Sequence, residues 1–126
     1  MDVTADASEP AWWVACLCAE WCGVCREWEP VFLEQARANP GKRFAWVDVE
    51  DEHEAMGDVD IETFPTLLIA RGDELLFLGP VPPSASQLAR MLAALQAQPI
   101  ASSALTDSQR ALFERLRHDV LPHATV

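Results

Sequence analysis

Cys22 and Cys25 stand three positions apart just ahead of an amphipathic helical pattern, and Phe64-Pro65-Thr66 opens an apolar run about forty residues later. Nothing else in the chain constrains it as much. Cysteines at that offset fit the first turn of a helix, where their sulfurs can meet as dithiol or disulfide. The partial positive charge of a helix N-terminus favours thiolate over thiol. A proline just before Leu67-Leu68-Ile69-Ala70 suits a rigid turn entering a buried strand. Together these features imply an α/β domain with electron-pair chemistry at sulfur.

With 126 residues, half of them apolar, the chain is long enough for one domain with its own core, so its four cysteines need not be staples. All four fall between positions 16 and 25. Cysteines so close together tie no distant segments, unlike a secreted disulfide framework. The formal charge of −11 repels phosphate backbones and anionic lipid, which argues against nucleic acid and membranes as partners and favours basic proteins. No stretch approaches the roughly 18 consecutive apolar residues of a membrane span. Met1-Asp2-Val3-Thr4-Ala5-Asp6 has neither a basic head nor an apolar stretch, so a cytoplasmic protein without a signal peptide is expected.

Residues 1–10 read as a polar, flexible lead-in, and 11–98 as the main domain. Residues 12–18 are continuously apolar, as in a strand covered on both faces. A helix is predicted from about Cys22 to Ala38, with Trp28, Phe32 and Leu33 as its buried stripe, a kink at Pro30, and a stop at Asn39-Pro40-Gly41. Residues 43–49 read as a second strand, 50–62 as a polar stretch with one short helix, and 65–70 and 74–78 as a hairpin around Arg71-Gly72-Asp73. Helices are predicted after Ser84 and after Thr106, each with a glutamine placed for a capping box. The order strand, helix, strand, short helix, strand, strand, helix implies a mixed four-stranded sheet with flanking helices. Residues 99–126 form a linker and a C-terminal helix whose Leu112, Phe113, Leu116 and Val120 must pack on something. The simplest surface is the domain itself, leaving a monomer. A dimer contact through that helix is the second choice.

A free cysteine with pKa about 8.5 is only a few per cent thiolate near neutrality, whereas in a Cys-x-x-Cys motif the value falls to about 7, a shift worth roughly 2 kcal/mol. Cys22, at the helix start, is expected to be exposed and to attack. Cys25, one turn in, is expected to be buried and to resolve the mixed disulfide. Trp21 would give the sulfurs an apolar lip.

Ala19-Glu20-Trp21-Cys22-Gly23-Val24-Cys25 resembles the active-site string of thioredoxins, with Val24 in place of a proline. Pro30 matches the family's helix proline, Pro65 its cis-proline opposite the cysteines, and Gly79 a glycine beside the same groove. The resemblance implies a thioredoxin-like fold that lacks the family's opening strand and helix. It implies Cys22 and Cys25 as catalytic residues, with Trp21, Gly23, Val24, Phe64, Pro65, Thr66 and Gly79 forming the substrate groove. It also implies protein disulfides as substrates, a reductase or glutathione as electron donor, and no bound metal or organic cofactor. Cys16 and Trp46 stand where the family has a buried aspartate and its lysine partner, so the usual acid–base help to Cys25 is missing. Val24 implies a less reducing protein.

Plainer alternatives stand beside this reading. Cys22 and Cys25 could be a buried thiol pair, and Cys16 and Cys18 read as small core residues. A zinc site on Cys16, Cys18, Cys22 and Cys25 conflicts with two of them lying inside an apolar strand. The run from Asp48 to Glu62 holds eight carboxylates and neither lysine nor arginine. It reads as a solvated face, or more sharply as a selector of basic partners. The function implied is a thiol–disulfide oxidoreductase acting on protein disulfides. The alternative is a non-catalytic thioredoxin-fold adaptor that binds partners and senses redox state.

Overall fold

The computed structural model describes residues 10–126, so the predicted lead-in lies outside the described residues except for Pro10. Four strands, β1 (Trp12–Cys18), β2 (Arg43–Asp48), β3 (Thr66–Arg71) and β4 (Glu74–Pro80), form one sheet in the order β2-β1-β3-β4. β1 pairs parallel with β2 and antiparallel with β3, and β3 pairs antiparallel with β4. The continuous apolar run in β1 follows from its place between two strands with both faces covered. The β3–β4 hairpin turns through Gly72 at φ +63°, where a Cβ would come within 3.0 Å of Pro10. Glycine meets both demands.

Side chains alternate across the sheet and divide the core in two. Val14, Cys16 and Cys18 of β1, Phe44 of β2, and Leu67 and Ile69 of β3 face α1 (Gly23–Ala38) and α3 (Ala85–Ala97), meeting Cys25, Trp28, Phe32, Leu88 and Leu92. Trp13, Ala15, Leu17, Ala45, Val47, Leu68 and Ala70 face the other way, onto Met56 of α2 (His53–Met56) and Leu112, Phe113 and Leu116 of α4 (Asp107–Asp119). The C-terminal helix thus covers the second sheet face within the same chain.

The expected caps differ in completeness. Thr106 and Gln109 form a full capping box at α4, while Ser84 accepts from the Gln87 backbone at α3 without the reciprocal bond. A short helix, α5 (Leu121–Ala124), escaped the sequence reading. Beyond it, Thr125 bridges Ala45 and the Val126 N–H donates to the Phe44 carbonyl at 3.0 Å, which covers the open edge of β2. Arg115 of α4 donates to the Ala55 and Met56 carbonyls at 2.6 and 3.1 Å, closing the C-terminal end of α2.

Candidate functional site

The end of β1 and the start of α1 bring the four cysteines together. β1 delivers Cys16 and Cys18 to the α1 face because they are two residues apart on a strand. The chain then turns through Ala19, Glu20 and Trp21, with the Cys22 N–H donating to the Ala19 carbonyl at 3.0 Å and Arg26 to the Glu20 carbonyl at 3.1 Å. Cys22 is the N-cap of α1, extended at φ −82°, and its side chain makes no capping hydrogen bond. Cys25 is the third helical residue. Side chains at the N-cap and the third helical position lie over each other, which is the geometry a capping box exploits. Cys25 is buried and Cys22 half-buried.

The sulfur pairing differs from the sequence reading. Cys25 is joined in a disulfide to Cys18, across a Cα–Cα distance of 5.9 Å, while Cys22 and Cys16 are free thiols. That separation lies in the range a disulfide spans without backbone movement. The expected Cys22–Cys25 bond is therefore not the one formed here, and Cys18, read as core filler, is a bonding partner. The cause is placement: Cys18 ends β1 on the α1 face, directly under the first turn where Cys25 points inward. The missed signal was parity, since Cys16 and Cys18 share the strand face that α1 covers.

Cys16 continues the row, its sulfur 3.6 Å from that of Cys18. Burial pushes the Cys16 thiol up to about 12, with the Trp28 indole N–H drawing it down and Glu29 raising it further. Trp28 Nε1 is buried without a well-aligned hydrogen-bond partner. Zinc would need all four sulfurs on one ion, whereas two are bonded to each other. Among the described residues no group of histidine, cysteine and carboxylate side chains is arranged to hold a metal.

Beside the sulfurs, Trp21 is 61% exposed and meets Phe64 edge-on, with ring centroids 5.7 Å apart. Its indole N–H donates to Glu50 at 2.7 Å, a contact the sequence did not suggest. The Phe64–Pro65 peptide bond is cis, and the Pro65 carbonyl accepts from Val81 at 3.2 Å. Val24 is exposed, and Gly23 has open space where a Cβ would stand. Trp21, Cys22, Gly23 and Val24 thus share one end of the sheet with Phe64 and Pro65. Thr66 is buried, and its hydroxyl donates to the Thr63 carbonyl at 2.6 Å. Gly79 pairs with Leu67 and lines, with Thr66, a separate hollow of about 240 Å³ reaching Gln109 of α4.

A larger cavity of about 490 Å³ reaches Cys25 from the β2 side, bounded by Glu20, Glu29, Asp48, Asp51 and Glu52 with Arg26 and His123. Among the described residues no helix is long and apolar enough to cross a membrane.

A family model described as Thioredoxin matches residues 5–93. A thioredoxin H-type of Oryza sativa subsp. indica is 42% identical over 53 residues, covering 42% of this chain and 43% of the relative. The chain spans a little under half the length of the curated relatives it first matches. Among solved structures, the thioredoxin of Trypanosoma brucei brucei aligns with TM-score 0.62 and 27% identity, covering 72% of this chain and 80% of that one. The thioredoxin of Fasciola hepatica aligns with TM-score 0.61 and 22% identity, covering 73% and 86%, a likeness of fold.

Proposed function

The chain belongs to the thioredoxin family, and we propose that it is a thiol–disulfide oxidoreductase whose working pair is Cys22 and Cys25. The observation that carries this reading is the free, half-buried Cys22 at the N-cap of α1, with Cys25 one turn behind it. In the forward reaction the Cys22 thiolate attacks one sulfur of a substrate disulfide, and the other substrate sulfur leaves with the electron pair. Cys25, once reduced and free of Cys18, attacks the Cys22 sulfur. That step forms Cys22–Cys25 and releases the second substrate thiolate. The substrate loses its disulfide and the protein gains one.

Trp21, Val24 and Phe64 offer an apolar lip to a partner chain, and Gly23 leaves room for its backbone. Pro65, beside Phe64, lines the facing loop; the Thr66 hydroxyl ties that loop to itself at the Thr63 carbonyl, and Gly79 pairs with Leu67 in the strand that follows. The carboxylates around Cys25 and Trp21, Asp48, Glu50, Asp51 and Glu52, favour basic protein substrates. A reductase or glutathione returns the electrons, the compartment is the cytoplasm, and the working form is a monomer. Fold alone does not assign activity. Insulin reduction with dithiothreitol tests the proposal: the wild type accelerates precipitation and Cys22→Ser does not. Equal rates would replace the enzyme by the redox-sensing adaptor. That second reading draws its support from Cys25, which is already bonded elsewhere.

A further inference from the structure

We propose that Cys18 is a third redox-active cysteine, competing with Cys22 for the sulfur of Cys25 so that the disulfide migrates inward after each oxidation. The inference rests on the reading of Cys22 and Cys25 as the working pair and adds a step to it.

Cys25 has neighbours on two sides: Cys22 at the N-cap outside and Cys18 on the strand inside. It can bond only one of them. The structure holds the inner bond, with Cys22 free. In the exchange, the Cys18 thiolate attacks the Cys25 sulfur of a Cys22–Cys25 disulfide. The Cys22–Cys25 bond breaks, the Cys18–Cys25 bond forms, and the electron pair leaves on Cys22. The proton that Cys18 gave up goes to Cys22. One disulfide is present before and after, so no oxidant or reductant is consumed. The reverse attack by Cys22 returns the bond to the surface.

Cys16 supplies the second observation. In the inner disulfide Cys18 carries no proton, so in the 3.6 Å contact the Cys16 S–H is the donor. The same donor faces Cys18 when it becomes a thiolate, in a core that offers the charge little other support. Cys16 keeps its proton at neutral pH, so it assists the exchange without entering it. The inner bond stores the oxidising equivalent between two buried residues, and Cys22 stays available as a thiol in an oxidised protein.

The test counts and locates thiols by alkylation at acid quench followed by peptide mapping. Cys22→Ser starts with three thiols and keeps its helix start, since serine is a favoured N-cap. Under diamide it is expected to lose two thiols to a Cys18–Cys25 bond; retention of all three overturns the proposal. In the reduced wild type given one equivalent of an oxidised dithiol peptide, label is expected first on Cys18 and then increasingly on Cys22. A label that never reaches Cys22 also overturns it. Cys18→Ser and Cys18→Ala, checked for native circular dichroism, separate this idea from its premise. If they still reduce insulin while Cys22→Ser keeps its three thiols, only the present proposal falls. If they fold but reduce no insulin, the working pair falls and the exchange with it.

Discussion

Replacing Cys16 tests whether the innermost sulfur is a buried neutral thiol. Its ionisation is held up to about 12 by burial, against 9.0 for an ordinary cysteine. Above pH 9 the unfolded chain therefore sheds a proton that the folded chain keeps. The contribution is full below about pH 9 and drains away as pH climbs toward about 12, by about 1.4 kcal/mol per pH unit. Between pH 8 and pH 11 the loss comes to about 3 kcal/mol, a large part of the ~5–15 kcal/mol that holds a domain together. The chain has no tyrosine and one lysine, Lys42, so little outside the cysteines ionises in that window. The assay is urea unfolding, at both pH values, of the wild type and of Cys16→Ser, each holding the Cys18–Cys25 disulfide. The wild type should lose about 3 kcal/mol more than the variant across the window, seen as an extra midpoint shift of about 1–3 M urea. Equal losses in the two proteins would refute the reasoning.

Three further outcomes follow from particular contacts. Phe113→Ala, under the C-terminal helix and fully buried, should cost about 3–5 kcal/mol in urea unfolding. Its midpoint should not change with protein concentration; a concentration-dependent midpoint would place the helix on a second copy. Gly57→Ala puts a Cβ at φ +61° and 3.0 Å from the Arg115 guanidinium, so a loss of about 1–3 kcal/mol is expected, measured by thermal unfolding. Trp21→Ala removes an exposed edge contact to Phe64 worth about 0.5–1.5 kcal/mol. It should lower the melting temperature by only a few degrees while lowering kcat/KM for insulin several-fold, and unchanged kinetics would remove Trp21 from the substrate lip.

Much of the frame was legible because each element carries its own physics. The unbroken apolar run of β1 announced a central strand, Asn39 and Gly72 marked turns, and Thr106 with Gln109 marked a helix start that the structure caps from both sides. The candidate site was legible as a place in the fold, at Cys22 and Cys25, whose spacing is local, and at Phe64-Pro65, whose proline punctuates the chain, but its sulfur pairing was not. Glu50 was not, because its bond to Trp21 joins residues 29 positions apart. The short α5 and the pairing of Thr125 with Ala45 were missed for the same reason: four helical residues carry no period, and an edge bridge depends on where β2 lies.

Cys18 illustrates a more general difficulty. A cysteine in an apolar strand is a good small core residue, and composition alone supports no more than that. What changes its chemistry is what covers it. The alternation of β1 sends residues 14, 16 and 18 toward one helix, and that helix points its third residue back at the strand end. Cys18 and Cys25 then meet at 5.9 Å between Cα atoms, although they are separated by the turn that also carries Cys22. Strand parity combined with helical phase would have put the Cys18 sulfur under that of Cys25 and the Cys16 sulfur beside that of Cys18. The same argument explains why Cys22 alone of the four keeps contact with solvent: it belongs to neither element's buried face.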